Sequence, residues 1–313
     1  MRNKSSSLDL SGQDWSGTDF RGQDLRGVNW KDSVLRGCNF EGSKLDGSNL
    51  QGADLIGANF KGASMEGVRM KFGNWTDCSF EGAILDGSVL GGVTCSNVNF
   101  EKASLDRVEL GGSRLEDCNF HLCSMREIKV QYLNLKNSKM SYVDFFGLNL
   151  TESYFHAVDL TGSFLEETRG KDSKFHDCTF KNATLEASFN KLSVMMSSFN
   201  GADIKKLRVW GGGTFGNTMV GCDFRNTEMG EVVIENTTFQ DCDFRGVDLT
   251  SSTLQERGTP SFRGTDFTGA KRSPSTFLFK GRGFLSRPVP LEDNELVDQE
   301  VLTQEQIDSM RKV

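Results

Sequence analysis

Residues 38–62 read CNFEG-SKLDG-SNLQG-ADLIG-ANFKG, which is one five-residue layout repeated five times. In each unit the first residue is small, the third is large and apolar, and the fifth is glycine. The pattern extends in both directions, because every fifth residue from Leu10 to Leu185 is apolar apart from Gly170. A five-residue period matches neither the 3.6-residue turn of a helix nor the two-residue alternation of a strand. It predicts a repeat architecture.

A second, longer period predicts the shape of each coil. Six phenylalanines recur every 20 residues, at Phe20, Phe40, Phe60, Phe80, Phe100 and Phe120. This spacing places four units in one square coil and stacks the six rings on one inner wall as a core ladder. The small residue two positions before each apolar centre also faces inward, so that the narrow interior can fill without voids. The glycine two positions after the centre lies at a corner, where the backbone needs conformational freedom.

Individual units carry a family resemblance. Residues 53–57 (ADLIG) and 58–62 (ANFKG) follow the pattern Ala, then Asp or Asn, then Leu or Phe, then two variable residues, and in this the sequence resembles the pentapeptide-repeat family. The resemblance implies an all-β solenoid, a right-handed quadrilateral parallel β-helix, and the repeat count gives about 13 coils. Such a family specifies a fold rather than one function.

The phase of the repeat predicts the domain organisation. Residues 1–7 form a flexible arm, and residues 8–270 form the β-helix, with phase breaks near 186–189 and 255–262. Residues 271–313 form a tail with a short helix, since Thr303 and Gln306 have the spacing of a capping box. The tail either covers the last coil, docks elsewhere, or forms a homodimer through the C-terminal end, as the gyrase-protecting members of the family do.

Charge and hydropathy narrow the functional classes. The net charge of −7 argues against direct nucleic-acid binding, which needs clustered Lys and Arg. No apolar run approaches the roughly 18 residues of a membrane span. The polar start lacks the apolar core of a signal peptide. We therefore expect a cytoplasmic protein, with a secreted bacterial effector without a cleavable signal peptide as the alternative.

The residues that usually support chemistry occupy structural positions of the repeat. Seven of the eight cysteines fall at the small inward position and Cys95 falls at a centre, so they act as small core residues. None forms the paired Cys-X-X-Cys motif of a zinc site. The three histidines lie at outward positions, and no nucleophile has an evident base. The sequence therefore predicts no catalytic residue, no metal and no cofactor.

Aromatic residues at outward positions suggest a surface that binds a protein partner. Exposed aromatic clusters mark interaction sites more often than scattered ones do. The candidates are Tyr132, Tyr142, Phe146, Tyr154, Phe164 and Trp210. The register places Tyr142, Phe146 and Phe164 near one another. Trp210 begins an irregular loop, residues 205–217, that we expect to protrude.

A column of like charges gives a second candidate surface. Asp46, Glu66, Asp86 and Asp106 recur at the 20-residue period and form an acidic stripe. Like charges directly opposed are unfavourable unless solvent screens them or a function requires them. Family members that protect DNA gyrase resemble duplex DNA in shape and negative surface, and the stripe is a smaller version of that feature.

Three functional interpretations remain open from the sequence. The first is a non-enzymatic binding module or scaffold that presents a rigid β-helix surface to a protein partner. The second is a DNA mimic that protects or inhibits a topoisomerase such as gyrase. The third is a secreted effector. The aromatic candidates favour the first interpretation, and the acidic stripe favours the second.

Overall fold

The computed structural model describes residues 8–210, 217–235, 237–257, 262–273, 276–280 and 286–288. The chain divides into two compact units, residues 1–169 and residues 170–313. In both units the repeats form a parallel β-solenoid, as predicted. Every regular element among the described residues is a β-strand or an isolated bridge.

Stacked phenylalanine rings form the interior of unit 1. Phe20 is 7% exposed, and the other five members of the ladder are almost fully buried. The rings of Phe40 and Phe60 are parallel, with centroids 4.8 Å apart, and those of Phe80 and Phe100 are 5.1 Å apart. This distance is close to the spacing between neighbouring strands, so each coil adds one ring to the stack. Apolar burial on this scale is the main source of stability in such a fold.

Backbone hydrogen bonds join each coil to the next at intervals of 20 residues. The Phe20 amide donates to the Asn39 carbonyl at 2.7 Å, and the Asn39 amide donates to the Thr18 carbonyl at 3.0 Å. The same pattern recurs on four walls, through bridges that start at Asp9, Asp14, Asp19 and Asp24. Four walls per 20 residues is the square coil that the double period predicts.

The strands of unit 1 are short because a corner follows every five residues. They are β1 (Asn74–Thr76), β2 (Thr94–Ser96), β3 (Arg114–Glu116), β4 (Asn134–Lys136) and β5 (Tyr154–His156). Each pairs in parallel with the next at an offset of 20 residues. Their middle residues are buried and their end residues point outward. An outward side chain therefore stacks on the side chains one coil before it and one coil after it.

The corners have a left-handed backbone. At Gly47, φ is +67°, and the turn closes with a hydrogen bond from the Ser48 amide to the Leu45 carbonyl at 2.9 Å. Glycine adopts this conformation freely. At many corners the chain has another residue with the same φ, including the large side chains of Phe72, Leu122 and Tyr142. A left-handed backbone costs such a residue roughly 1–2 kcal/mol.

Unit 2 has longer and less regular strands. β6 (Thr168–His176) runs across the boundary between the units, and the strands that follow are β7 (Ala187–Met195), β8 (Arg208–Trp210), β9 (Asn217–Val220), β10 (Val233–Glu235), β11 (Thr237–Gln240), β12 (Thr253–Arg257), β13 (Phe277–Lys280) and β14 (Ser286–Pro288). β7 pairs with both β8 and β9, so one long strand supports two later ones. Unit 2 has its own inner stack of rings, with centroids 4.4–4.9 Å apart, formed by Phe180, Phe199, Phe224, Phe244 and Phe267.

The number of regular coils differs from the predicted count of about 13. In unit 1, eight successive bridges from Asp9 to Arg169 join nine rungs at a constant 20-residue spacing, which gives about nine regular turns. In unit 2 the spacing varies. Residues 179 and 198 pair, then 198 and 223, 223 and 243, and 243 and 266. The predicted count, which divided all the apolar centres by four, therefore exceeds the number of regular turns, because the later coils contain inserted and deleted residues.

The end of the chain also extends the sheet beyond the predicted boundary at residue 270. β13 pairs in parallel with β12, which places Phe277 beside Leu254, and β14 pairs antiparallel with β13. The helix predicted around Thr303 and Gln306 lies outside the described residues. So does the glycine-rich part of the predicted loop, residues 211–216.

Candidate interaction surfaces

Exposed apolar side chains gather at one corner of unit 1. The corner cluster consists of Leu122, Tyr142 and Phe164, which are 47%, 51% and 48% exposed. Leu122 and Tyr142 occupy the same corner in successive coils. Asp144 follows the corner of Tyr142, and its β-bridge to Phe164 places Phe164 beside it in the next coil. The three side chains therefore form one apolar surface at the corner.

Neighbouring residues hold the corner cluster in place. The Tyr142 ring lies over Gly162, where an added Cβ would be 2.5 Å from the ring. The His121 ring meets Tyr142 edge-on at 5.8 Å, while His121 Nδ1 is 2.8 Å from the Ser141 hydroxyl. Tyr142 thus keeps a fixed orientation although half of its surface faces solvent. A rigid exposed aromatic loses little conformational entropy when a partner binds.

The other aromatic candidates occupy different places. Phe146 is half-buried, and the Arg126 guanidinium lies 5.2 Å from its ring centroid. Tyr132 lies at a corner two walls away from Tyr142, which is the diagonally opposite corner of the coil. β4 and β5 pair so that Tyr154 lies over Asn134, close to the corner of Tyr132. Tyr142 and Phe164 therefore lie near one corner, Tyr132 and Tyr154 lie near the opposite corner, and Phe146 lies in the turn at residues 146–147.

Trp210 lies in unit 2, at the end of β8. Its backbone pairs with Asn190 of β7, and its indole is 41% exposed. Met195 and Met196 are further exposed apolar residues of the same unit. Trp210 is therefore a surface residue, as expected.

Hydrogen bonds stabilise the acidic stripe. One carboxylate oxygen of Asp86 accepts from the Ser104 hydroxyl at 2.6 Å and from the Asp106 amide at 3.1 Å. Asp46 and Asp106 each accept from a serine and an amide of the next coil in the same way. These three aspartates are half-buried, and Glu66 is exposed. The bonds compensate for the repulsion between like charges, so the stripe has a structural explanation as well as a functional one.

Basic residues near the start of the repeats are paired. Arg21 contacts Asp19 at 2.7 Å, Arg26 contacts Asp24 at 2.5 Å, and Arg36 contacts Asp54 at 2.7 Å. The hydrogen bond from Arg26 lowers the pKa of Asp24 to about 2. Exposed ion pairs of this kind contribute little to stability. They nevertheless neutralise this part of the surface.

The eight cysteines are free thiols and all are buried, as the repeat predicts. Loss of hydration raises the pKa values of Cys78, Cys118 and Cys123 to about 12. These thiols are consequently not poised as nucleophiles. In unit 2 the neighbouring thiol of Cys242, together with the loss of hydration, raises the pKa of Cys222.

A concave site is found among the described residues of unit 2. An open groove in unit 2 has a volume of about 450 Å³ and is lined by Lys205, Glu228, Asp248 and neighbouring residues. Lys205 is bonded to Glu228 and to Asp203, so its charge is already neutralised. Within either unit taken alone, the described residues bring no three His, Cys, Asp or Glu ligand atoms within 4.8 Å of one another.

No helix long and apolar enough to cross a bilayer occurs in the part of the chain that the structure describes.

The repeats match a known protein family. The family described as pentapeptide repeats matches in eight copies, over residues 6–42, 33–71, 83–121, 149–186 and 219–255, which together make up more than half of the chain. The chain therefore belongs to the pentapeptide-repeat family. The match indicates no catalytic family. No curated protein matches the chain.

Several solved structures are similar to this chain. A pentapeptide repeat protein from the Arabidopsis thaliana thylakoid lumen is 34% identical over 32% of this chain and 67% of its own, with a TM-score of 0.26. HetL, involved in heterocyst differentiation regulation in the cyanobacterium Nostoc sp. strain PCC 7120, is 16% identical over 85% of this chain and 87% of its own, with a TM-score of 0.22. QnrB1, a plasmid-mediated fluoroquinolone resistance protein, is 17% identical over 85% of this chain and 93% of its own, with a TM-score of 0.18.

Proposed function

We propose that this protein is a non-enzymatic binding module that presents rigid faces of its solenoid to a protein partner. The corner cluster of Leu122, Tyr142 and Phe164 is the observation that supports this proposal. It combines three large apolar side chains, each about half exposed, on one fixed corner. Large aromatic anchors of this kind dominate the binding energy of protein interfaces.

The backbone at the corner adds support. Leu122 and Tyr142 have φ values of +60° and +57°, a conformation for which glycine or asparagine would cost less. Solvent exposure does not compensate for that cost, whereas a contact with a partner would. Strained exposed residues tend to occur at functional sites.

A capture experiment tests the proposal. The full chain, immobilised, is used to recover proteins from an extract of its own source, alongside a variant with Tyr142→Asn and Phe164→Ser. We expect the variant to lose a specific partner that the wild-type chain recovers, and to keep its circular dichroism spectrum. A variant with Ile84→Ser, which changes an exposed apolar residue outside the corner cluster, is the matched control. Equal recovery by all three proteins would reject the corner cluster as the contact surface.

A DNA-mimicking topoisomerase regulator is the second candidate function. The acidic stripe supports it, because hydrogen bonds hold three aspartates in a fixed column along one wall. A supercoiling assay with DNA gyrase and a quinolone tests it, comparing the wild-type chain with a variant in which Asp46, Asp86 and Asp106 become Asn and Glu66 becomes Gln. Protection or inhibition by the wild type and not by the variant is the expected result for a mimic. A wild-type chain without effect on gyrase would eliminate this candidate.

A further inference from the structure

A second aromatic surface lies on the corner of unit 1 diagonally opposite the corner cluster. Phe72 is the most exposed large apolar side chain among the described residues, at 69%, and Tyr132 is 58% exposed. Both occupy the same corner, with φ of +59° and +61°, and they are separated by 60 residues, or three coils. At the strand spacing of about 4.8 Å, the two positions are roughly 14 Å apart.

The chain between the two aromatic residues has no side chains at the corner. The two intervening coils carry Gly91 with Gly92, and Gly111 with Gly112. The Phe72 ring lies over Gly92, where an added Cβ would be 2.8 Å from it, while Gly112 has nothing within 4 Å. We call the surface formed by Phe72, Tyr132 and this exposed backbone the aromatic notch. Because the Phe72 ring covers the corner at Gly92, the bare backbone of the notch is the corner at Gly112. The gap from the coil of Gly92 to the coil of Tyr132 is about 10 Å, which leaves room for one extended polypeptide chain.

The aromatic notch is bordered by cations without carboxylate partners. Lys71 precedes Phe72, and Arg114 lies on the wall beside Gly112 and is exposed. No acidic side chain of the described residues forms an ion pair with either of them. Glu109, the nearby carboxylate, bonds to Lys129 at 2.8 Å. This bond, with a smaller contribution from the charge of Lys71, lowers the pKa of Glu109.

The acidic groups around the notch are therefore largely neutralised. On the same wall as Arg114, Glu116 bonds to Lys136 at 2.5 Å, and Glu152 lies one coil beyond Tyr132, outside the gap. The gap itself keeps the charges of Lys71 and Arg114. The net charge of the protein is −7, so the local charge of this aromatic surface is opposite in sign to the net charge.

We propose that the aromatic notch binds an extended acidic segment of a partner protein. The segment lies between Phe72 and Tyr132, and its carboxylates meet Lys71 and Arg114. Its backbone approaches the glycine backbone closely, which side chains would prevent. Opposite charges steer the segment to the notch and select against basic or neutral sequences. This inference rests on the proposed function, since it names the chemistry of a partner, but it uses a separate surface.

The notch offers a substitution that separates binding from folding. Asparagine adopts a left-handed backbone more easily than phenylalanine does, so Phe72→Asn removes the exposed ring without disturbing the corner. Leu122→Asn makes the matched change at the opposite corner. We expect both variants to unfold at or above the wild-type temperature.

Peptide selection with the full chain tests the proposal. A phage library of random dodecapeptides is selected on the wild-type protein after depletion on the Phe72→Asn variant. We expect the surviving clones to be rich in Asp and Glu. One such peptide, labelled with fluorescein, should bind about tenfold more weakly to Phe72→Asn and to Arg114→Gln, and within about twofold of wild type to Leu122→Asn.

Four outcomes would overturn the proposal. In the selection, these are a failure to enrich any clones on the wild-type protein over Phe72→Asn, and enrichment of clones with neutral or basic peptides. In the binding assay, a third is equal affinity of wild type and Phe72→Asn for the acidic peptide. The fourth is Phe72-dependent binding of a fluorescent oligo(dT), which would assign the surface to single-stranded nucleic acid. The Tyr142→Asn and Phe164→Ser variant should keep its affinity for the acidic peptide. If it does, failure of the corner cluster and failure of the aromatic notch can be told apart.

Discussion

Each five-residue unit places its outward residues in two different environments. Residues on a wall stack on their neighbours one coil away and have extended backbone. Residues at a corner have a left-handed backbone, and their side chains project from an edge of the coil. Glycine at a corner leaves the edge bare, as at Gly47, whereas phenylalanine at Phe72 projects a ring from it. The choice of one residue therefore decides whether a corner is a smooth edge or a contact point.

The cost of a corner side chain can be measured at Gly47. Its φ is +67°, and an added Cβ would have nothing within 4 Å, so Gly47→Ala introduces backbone strain without a clash. We expect Gly47→Ala to lower the free energy of unfolding by about 1 kcal/mol. Gly47→Asn should lower it less, because asparagine tolerates this conformation. Urea denaturation followed by circular dichroism measures both, and equal losses would contradict a backbone origin of the cost.

The inner ladder can be tested by the same substitution at a buried and an exposed phenylalanine. Phe80 is fully buried between Phe60 and Phe100, at 4.9 Å and 5.1 Å, and Phe72 is 69% exposed. Phe80→Asp buries an unpaired charge and should unfold the surrounding coils. Phe80→Ala should cost about 3–5 kcal/mol. Phe72→Asp should change the unfolding temperature little, and a stable Phe80→Asp protein would contradict the inward assignment.

At this scale the sequence predicts the interior better than the surface. The ladder phenylalanines and the cysteines lie where the five-residue period places them, because an inward position admits only apolar or small side chains. Phe72 and Leu122 were missed as surface residues. The signal was present, since each replaces the glycine that other coils have at the same corner. An exposed corner imposes no packing restriction, so only the replacement of glycine indicates that a side chain projects there.

Among the structural elements, the acidic stripe shows how a column of like charges can be stable. Each aspartate accepts hydrogen bonds from the coil above it, and asparagine columns elsewhere form comparable links. Asn59 donates to Asn39 at 3.1 Å, and Asn49 donates to Asn29 at 3.0 Å. The side chains on a wall therefore reinforce the backbone ladder between coils.

Substitution of Asp86 separates the hydrogen bonds of the stripe from its charge. Asp86→Asn keeps an oxygen that accepts from Ser104 and from the Asp106 amide, and it removes one of the repelling charges. We expect the free energy of unfolding to stay within about 0.5 kcal/mol of wild type. Asp86→Ala removes both bonds and should cost about 1–2 kcal/mol. Equal destabilisation by the two variants would show that charge, and not hydrogen bonding, stabilises the column.

The sequence predicts coils well only while their length is constant. Up to Arg169 every rung follows from counting by 20. After Leu185 the apolar centres still reveal a one-residue slip, which the pairing of Thr179 with Ser198 shows. The longer coil between Ser198 and Asp223 contains residues 205–217, where the sequence predicts an irregular loop, but counting by 20 does not give the pairing across it. Likewise, no local pattern reveals that β7 pairs with two strands, since such pairing depends on contacts distant in the chain.

For the whole molecule, stability should depend on pH through many exposed carboxylates with lowered pKa values. The pKa of Asp24 falls from 3.8 to about 2, chiefly through its hydrogen bond from Arg26, and those of Asp9, Asp14 and Asp19 are also lowered. A carboxylate with a depressed folded pKa contributes stability that is present above pH 3.8 and is lost as the pH falls through the folded value. We therefore expect the thermal midpoint to drop between pH 4 and pH 2.

Thermal unfolding at constant ionic strength, followed by circular dichroism from pH 7 to pH 2, measures this drop. The Asp24→Asn variant cannot lose the contribution of that carboxylate, so its midpoint should fall less over the same interval. A wild-type midpoint that is constant down to pH 2 would contradict the expected linkage.

The buried thiols have a consequence for how this protein can be studied. The cysteines are spread along the repeats, with Cys38, Cys78, Cys118 and Cys178 in different coils, and all eight are buried in the folded state. With the pKa of Cys78 and Cys118 at about 12, reaction with an alkylating reagent at neutral pH requires that the surrounding coil first open. The natural sequence therefore contains a series of internal reporters, whose alkylation rates would record local opening coil by coil without any added label.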